Sequence, residues 1–370
     1  MRRALSVLSV AVLSTAIAGS AFAATSKDLA SRSGSSGRAG NVYKVKRLVA
    51  DQPGHAKATD PSLVNAWGLA AGPTTPWWVN AADSDVSTLY DGTGAIIPLV
   101  VDVAGGPTGL VYNGSTDFTV TNGSTSGPSV FLFSTEAGTI NGWNPAVPAP
   151  SPSTRSFVVA DRTSEDANYK GLAIASTPDG NMLYATDFHN ARVDMFDSTF
   201  DVVSTATTFV DPGIPTGFAP FGIQAIGDTI FVTYAKQDAD AEDEVRGKGR
   251  GFVDAFGTDG TFIGRVASKH HLNAPWGLAM APENFGRFSG TLLVGNFGDG
   301  QIHAFRVASD GSYEAAGVLR NRHERVLTID GLWAIAFGND DAAGALNALY
   351  FTAGPDDEAH GLFGRIKASG

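Results

Sequence analysis

Residues Asn65 to Asn80 read NAWGLAAGPTTPWWVN, a short apolar strand, a Gly/Pro/Thr turn and a second strand. The pattern returns five more times: PTGLVYN with FTVTN, KGLAIAS with LYATD, FGIQAIG with IFVTY, WGLAMAP with LLVGN, and LWAIAFG with LYFTA. Six copies of one supersecondary unit leave few folds open, because no copy can bury its apolar face alone. The small residue at the head of each copy falls at Gly68, Gly109, Gly171, Gly222, Gly277 and Ala334, so the intervals are 41, 62, 51, 55 and 57 residues. Each interval holds four short strands, with the excess as loop insertion. In the third copy KGLAIAS, NMLYATD, RVDMFDS and TATTFVD are predicted as four strands, the first pair joined at Asp179-Gly180-Asn181.

The last copy holds only LWAIAFG, LYFTAG and GLFGRI before Gly370. The missing fourth strand is available as YKVKRLVAD ahead of the first copy. Borrowing it closes a ring and removes the open sheet edges that invite aggregation. The expected fold is therefore all-β, a six-bladed β-propeller closed by an N-terminal strand, over residues 42–370. A two-domain β-sandwich leaves both the repeats and the unpaired end unexplained. Composition agrees: charged residues are 17% and there are 44 glycines, a balance for short strands and tight turns rather than amphipathic helices.

The N-terminus has Arg2 and Arg3, an apolar Leu5–Ala18 and the cleavage pattern Ala21-Phe22-Ala23, which predicts a secretory signal peptide over residues 1–23. A membrane anchor would need a longer, less Ser-rich run. Residues 24–41 are Ser/Gly-rich and read as a flexible leader. Localisation is expected outside the cytoplasm, secreted or in the cell envelope. Cleavage takes the formal charge from −11 to −13. The absence of a basic stripe argues against nucleic acid and anionic membrane surfaces as partners. There is no cysteine, so disulfides, thiolate metal sites and a Cys nucleophile are excluded.

The segments NAWGLA, TDFHN, APFGIQ, TYAKQDAD, NAPWGLA, LLVGNFGDG, IDGLWAIAFG and YFTAGPDDEAHGLFG together resemble an uncharacterised family of exported bacterial propeller proteins. The resemblance runs from Tyr43 to the C-terminus. It implies fold and export and brings no catalytic residue. At fold level the chain is similar to NHL, lactonase-type and strictosidine-synthase-like propellers, which carry an axial metal or polar ring. The Glu that lactonases place near the first inner strand has no counterpart in NAWG.

In such a ring the turns between second and third strands share one face with the connections into the inner strands, the usual place for function. The second strands are predicted to end at Asn80, Asn122, Asp187, Tyr234, Asn296 and Ala353. In that register Asn80, Asn122, Asp187 and Asn296 ring the channel mouth and supply oxygens to a hard cation, Ca²⁺ being the one such a set suits. Asn and Asp also end strands simply because they suit turns. The following loops carry Asp83, Asp85, His189, Lys236, the acidic run Asp238 to Glu244, Asp299, Asp356, Asp357, Glu358 and His360. Asp187, His189 and His360 are the candidates for catalysis, as carboxylate and imidazole acid–base groups. The alternative is a solvated acidic face.

Trp67, Tyr169, Phe221, Trp276 and Trp333 precede or open the inner strands. They could stack on a sugar ring or wedge the blades apart as core. Trp67, Lys170, Phe221, Lys236, Trp276, Asp330 and Trp333 form the candidate ligand-binding set. Three functions stay open: a ligand- or polymer-binding protein taking a small molecule or polysaccharide, a metal-assisted hydrolase or lyase on a carbohydrate or lactone, and a protein-interaction scaffold. A monomer is expected.

Overall fold

A computed structural model describes residues 40–369, so the predicted signal peptide and most of the predicted leader lie outside the described residues. The described chain is a six-bladed β-propeller. Blade 1 runs Ala66–Ala70, Trp77–Ala81, Val86–Tyr90 and Ile96–Asp102 from the axis outward. Blade 2 is Pro107–Tyr112, Phe131–Thr135, Thr139–Trp143 and Phe157–Asp161. Blade 3 has three strands, Tyr169–Thr177, Gly180–Asp187 and Arg192–Phe196. Blade 4 comprises Phe218–Ile226, Thr229–Lys236, Gly251–Gly257 and Phe262–Ser268. Blade 5 comprises Pro275–Met280, Leu292–Asn296, Ile302–Val307 and Tyr313–Val318.

Blade 6 supplies Leu332–Phe337, Ala348–Ala353 and Leu362–Ala368, and the N-terminal strand Tyr43–Ala50 is its fourth. Pairing runs antiparallel from Tyr43 opposite Ala368 to Ala50 opposite Leu362. The ring closes as the strand count demanded.

Two expectations fail. FTVTN is not the second strand of blade 2. Thr119–Asn122 pairs with Thr125–Pro128 in a separate hairpin, and FLFST takes the predicted place against Pro107–Tyr112. FLFST fits better because all five residues are buried, whereas the hairpin is mostly exposed. TATTFVD forms turns instead of a fourth strand, leaving blade 3 only an isolated bridge, Phe196 to Val202, on its outer side.

The repeated glycine has a packing cause. A Cβ on Gly68 would run into the Thr108 carbonyl of blade 2, and one on Gly222 into the Trp276 carbonyl of blade 5. Inner strands of neighbouring blades thus meet backbone to side, which only a missing side chain permits. Next to it, hydroxyls tie the ring: Thr108 Oγ1 donates to the Tyr169 carbonyl at 2.6 Å and Thr186 Oγ1 to the Phe221 carbonyl at 2.7 Å. The core is divided accordingly. One apolar cluster fills each of the six blade interfaces, for example Trp78, Phe131 and Trp143 between blades 1 and 2. A seventh cluster, Trp67, Phe188, Phe221, Phe297 and Trp333, lies on the axis.

Candidate functional site

The residue after the small residue that heads each copy faces the channel. Leu69, Leu110, Leu172, Ile223, Leu278 and Ile335 line a void of only about 20 Å³, with Trp276 beside it. Toward the face carrying the second-to-third-strand turns, the axial aromatics plug the channel. The Trp333 ring is sandwiched between Trp67 at 3.7 Å and Phe297 at 3.8 Å, with Phe221 and Trp276 packed edge-on. Trp67, Phe221 and Trp333 are buried. They form a floor rather than an open stacking platform, because their combined area favours mutual burial.

Charged side chains converge above that floor. Lys170, at the start of the blade 3 inner strand, is 1% exposed, with its Nζ 5.3 Å from the Trp67 ring centre. It pairs with Glu136 from blade 2 and, at 3.2 Å, with Asp243 from blade 4. Burial by itself would lower the lysine pKa, but the carboxylates of Glu136, Asp243 and Glu244 outweigh it and hold the group charged. Arg246 lies over the Phe297 ring at 4.4 Å and faces Glu244 at 3.7 Å and Glu358 at 3.7 Å. Glu358 accepts a hydrogen bond from Asn65 Nδ2 at 2.9 Å, and Asn65 Oδ1 accepts one from Trp333 Nε1 at 3.0 Å. The aromatic floor therefore positions the charged layer directly.

Glu244 is the unusual member. Its carboxyl is 6% exposed, and burial pushes its pKa up to about 7, with Glu358 adding to the rise and Lys170 and Arg246 opposing it. Burial also raises Glu358. The loop that carries Glu244 folds back on itself, Asp238 N–H to the Asp243 carbonyl at 2.9 Å and Val245 N–H to the Lys236 carbonyl at 2.7 Å. That fold-back splits the acidic run. Asp240 and Glu242 face solvent, while Glu244 turns to the axis.

Of the predicted ligand set, Trp67, Lys170, Phe221, Trp276 and Trp333 come together here. Lys236 is exposed on its strand, and Asp330 is exposed away from the plug, accepting from the Asp356 N–H at 3.0 Å. The sequence did not single out Glu136, Phe297 or Arg246, which lie on turns outside the repeated strand pair, nor Asn65, which opens the first copy one residue ahead of its inner strand.

The four-residue cation ring does not assemble. Asn122 is exposed on the peripheral hairpin. Asp187 pairs with Tyr169 and Asn296 with Pro275, but Asn80 stands one residue earlier, beside Gly68 and between the pairs Leu69–Val79 and Ala66–Ala81. Side chains alternate along a strand, so that single step points Asn80 differently. Its Nδ2 bonds the Thr108 and Gly109 carbonyls, Asp187 accepts from Asn190 Nδ2 at 2.8 Å and pairs with Arg192, and Asn296 donates to the His271 carbonyl. Among the described residues no group of three or more His, Asp or Glu side chains is arranged to hold a metal ion.

The catalytic trio is likewise separated. Asp187 ends the second strand of blade 3 and His189 lies in the turn after it, whereas His360 belongs to blade 6, where its Nδ1 lies 2.8 Å from Asp51 Oδ2 of the closing segment. Burial raises the Asp187 pKa, with the Asn190 hydrogen bonds opposing. Among the described residues no helix is long and apolar enough to cross a membrane.

Fold and site define the class: a closed six-bladed propeller whose axis ends in an aromatic floor under a layer of charge. The chain is 33% identical over 341 residues to the uncharacterised protein R648 of Acanthamoeba polyphaga mimivirus, covering 89% of this chain and 81% of that protein. To the uncharacterised protein L690 of the same virus it is 32% identical over 345 residues, covering 89% and 87%. The chain belongs to their family. These relatives are viral, so they lend no support to a bacterial grouping. No family model matches the chain. Among solved structures a streptogramin B lyase superposes with a TM-score of 0.51 at 12% identity, covering 88% of this chain and 98% of that one, a likeness of fold alone.

Proposed function

We propose that this protein binds a small polar ligand of the carbohydrate or lactone class over the axial mouth and exchanges a proton with it through Glu244. The observation that carries this is convergence. Glu136, Lys170, Asp243, Glu244, Arg246 and Glu358 arrive from four different blades at one end of the channel. Within that layer Glu244 is a near-buried carboxyl whose pKa burial pushes up to about 7. Such a group can give or take a proton at neutral pH. Arg246 and the charged Lys170 supply positive potential for negative charge that develops on a ligand oxygen during hydrolysis or elimination. Asp243, 72% exposed, and Glu136 leave acceptor positions open to ligand hydroxyls. The reading needs no metal. Secretion remains part of it, resting on the N-terminal charge, apolar and cleavage pattern.

The test is a thermal-shift and turnover screen of the protein, from Ala24 on, against sugars, glycosides and lactones. A ligand at a hundredfold excess over its dissociation constant stabilises the fold by about 2.7 kcal/mol. A hit on wild type should still bind Glu244→Gln but turn over at least a hundredfold more slowly. Turnover by that variant at the wild-type rate would remove Glu244 from the chemistry. Failure of every hit to lose affinity in Arg246→Gln would remove the mouth as the site. The same scan with chelator and then Ca²⁺ is expected to show no shift.

A further inference from the structure

Away from the axis, a cavity of about 420 Å³ opens at the seam where the ring closes. That volume lies in the range of small-molecule pockets. Its walls come from the closing strand, the loop into blade 6 and the last second-to-third-strand turn. Ile329, Phe351 and Leu362 make an apolar floor, and all three are buried. Asp51, Asp330, Asp356 and His360 form the polar wall, with Arg47 and His55 exposed at the rim.

Part of the wall is already committed. Asp51 holds His360 Nδ1 at 2.8 Å with one oxygen and accepts the Gly361 N–H at 3.1 Å with the other. Asp330 and Asp356 are not consumed in that way. One Asp330 oxygen takes the Asp356 backbone N–H at 3.0 Å, and both residues are exposed and line the cavity. Neither carboxylate belongs to a salt bridge among the described residues. Three carboxylates face one arginine, so the wall is net negative over an apolar floor.

We infer that this seam cavity is a binding site for a small organic cation with an apolar body, a primary amine, distinct from the axial mouth. Its ammonium sits between Asp330 and Asp356, where charge-assisted hydrogen bonds are strongest. Its body lies on Phe351 and Leu362. Because the cavity is shared by the closing strand and the blade it completes, the bound amine also holds the ring shut.

Titration calorimetry and thermal shift with 2-phenylethylamine, against 2-phenylethanol as the uncharged body of the same shape, test this. The amine should bind and raise the melting temperature, and the alcohol should bind at least tenfold more weakly. Asp330→Asn with Asp356→Asn should cost the amine at least tenfold in affinity. Asparagine suits the left-handed backbone at Asp356, φ 57°, and Asp330→Asn alone serves if the pair fails to fold. Glu244→Gln should leave amine binding unchanged, which separates this site from the axial one. Equal affinity for amine and alcohol, wild-type affinity in the Asn variants, or no binding at millimolar amine would each overturn the assignment.

Discussion

The two ends of the channel are built from one repeat and share almost no chemistry. At one end the position after the small residue of each copy gives six aliphatic side chains, one per blade, around a void too small for a ligand. At the other, Trp67, Trp333 and Phe297 stack into a floor, and four blades contribute charges of both signs above it. The aliphatic end obeys the symmetry because every blade must pack against the next in the same way. The charged end breaks it because its residues come from turns of unequal length, which packing leaves free. Chemistry in this ring is found where the repeat lapses.

The largest expected effect tests whether the floor and the charged layer are one unit. Trp333→Ala removes a fully buried indole from its sandwich, and such truncations cost about 3–5 kcal/mol. It also frees Asn65, the hydrogen-bond partner of Glu358, so any ligand affinity at the mouth should fall with stability. At the opposite end Leu172→Ala should cost less, about 2–3 kcal/mol, since that side chain borders a void and forfeits fewer contacts. Ligand affinity should not change. Denaturant melts of both variants with and without a ligand check the contrast. Equal loss of affinity in the two would mean the channel responds as a whole.

The same division explains what was legible in the sequence. Blade number and ring closure followed from the glycine-led strand pair, because periodic burial leaves a periodic pattern, whereas whether Trp67, Phe221, Trp276 and Trp333 stack on a ligand or pack as core was left open by the pattern alone. The blade 2 pairing misled because FTVTN alternates like a strand, and it is one, in a hairpin that adds nothing to the ring. The cation ring misled through a one-residue register difference between Asn80 and Asp187, which no composition rule reveals. Lys170 stood out beside the aromatics. Its partner Glu136 did not, and neither did Arg246 beside the same floor, since both sit in turns whose direction is fixed only once the blades are docked.

A pH series sharpens the charged end next. The Glu244 pKa is about 7 in the folded protein against 4.5 for a free carboxyl, so the fold holds that proton more tightly than the unfolded chain. Ionising it therefore costs stability. The cost is absent below about pH 4.5 and complete above about pH 7. Glu244→Gln should thus gain over wild type as pH rises through that window, by roughly 3 kcal/mol at the plateau, and show no gain at pH 4. A gain independent of pH would mean Glu244 is ordinarily ionised and unfit for proton exchange near neutrality.

The smallest effect is expected at the outermost charge. Asp357 meets Arg246 at 2.8 Å, yet its side chain is 90% exposed. Exposed pairs contribute little, because water screens them and two long side chains must be held in one geometry. Asp357→Asn, which suits the left-handed backbone there (φ 51°), should change stability by no more than about 0.5 kcal/mol, less in high salt. Arg246 keeps Glu244, Glu358 and the Phe297 ring. A rim that costs so little to alter is a surface free to exchange Asp357 for a ligand. A loss above about 1 kcal/mol, more than an exposed pair contributes, would instead make the rim part of what holds the blades together, and the two ends of the channel would then differ in composition but not in role.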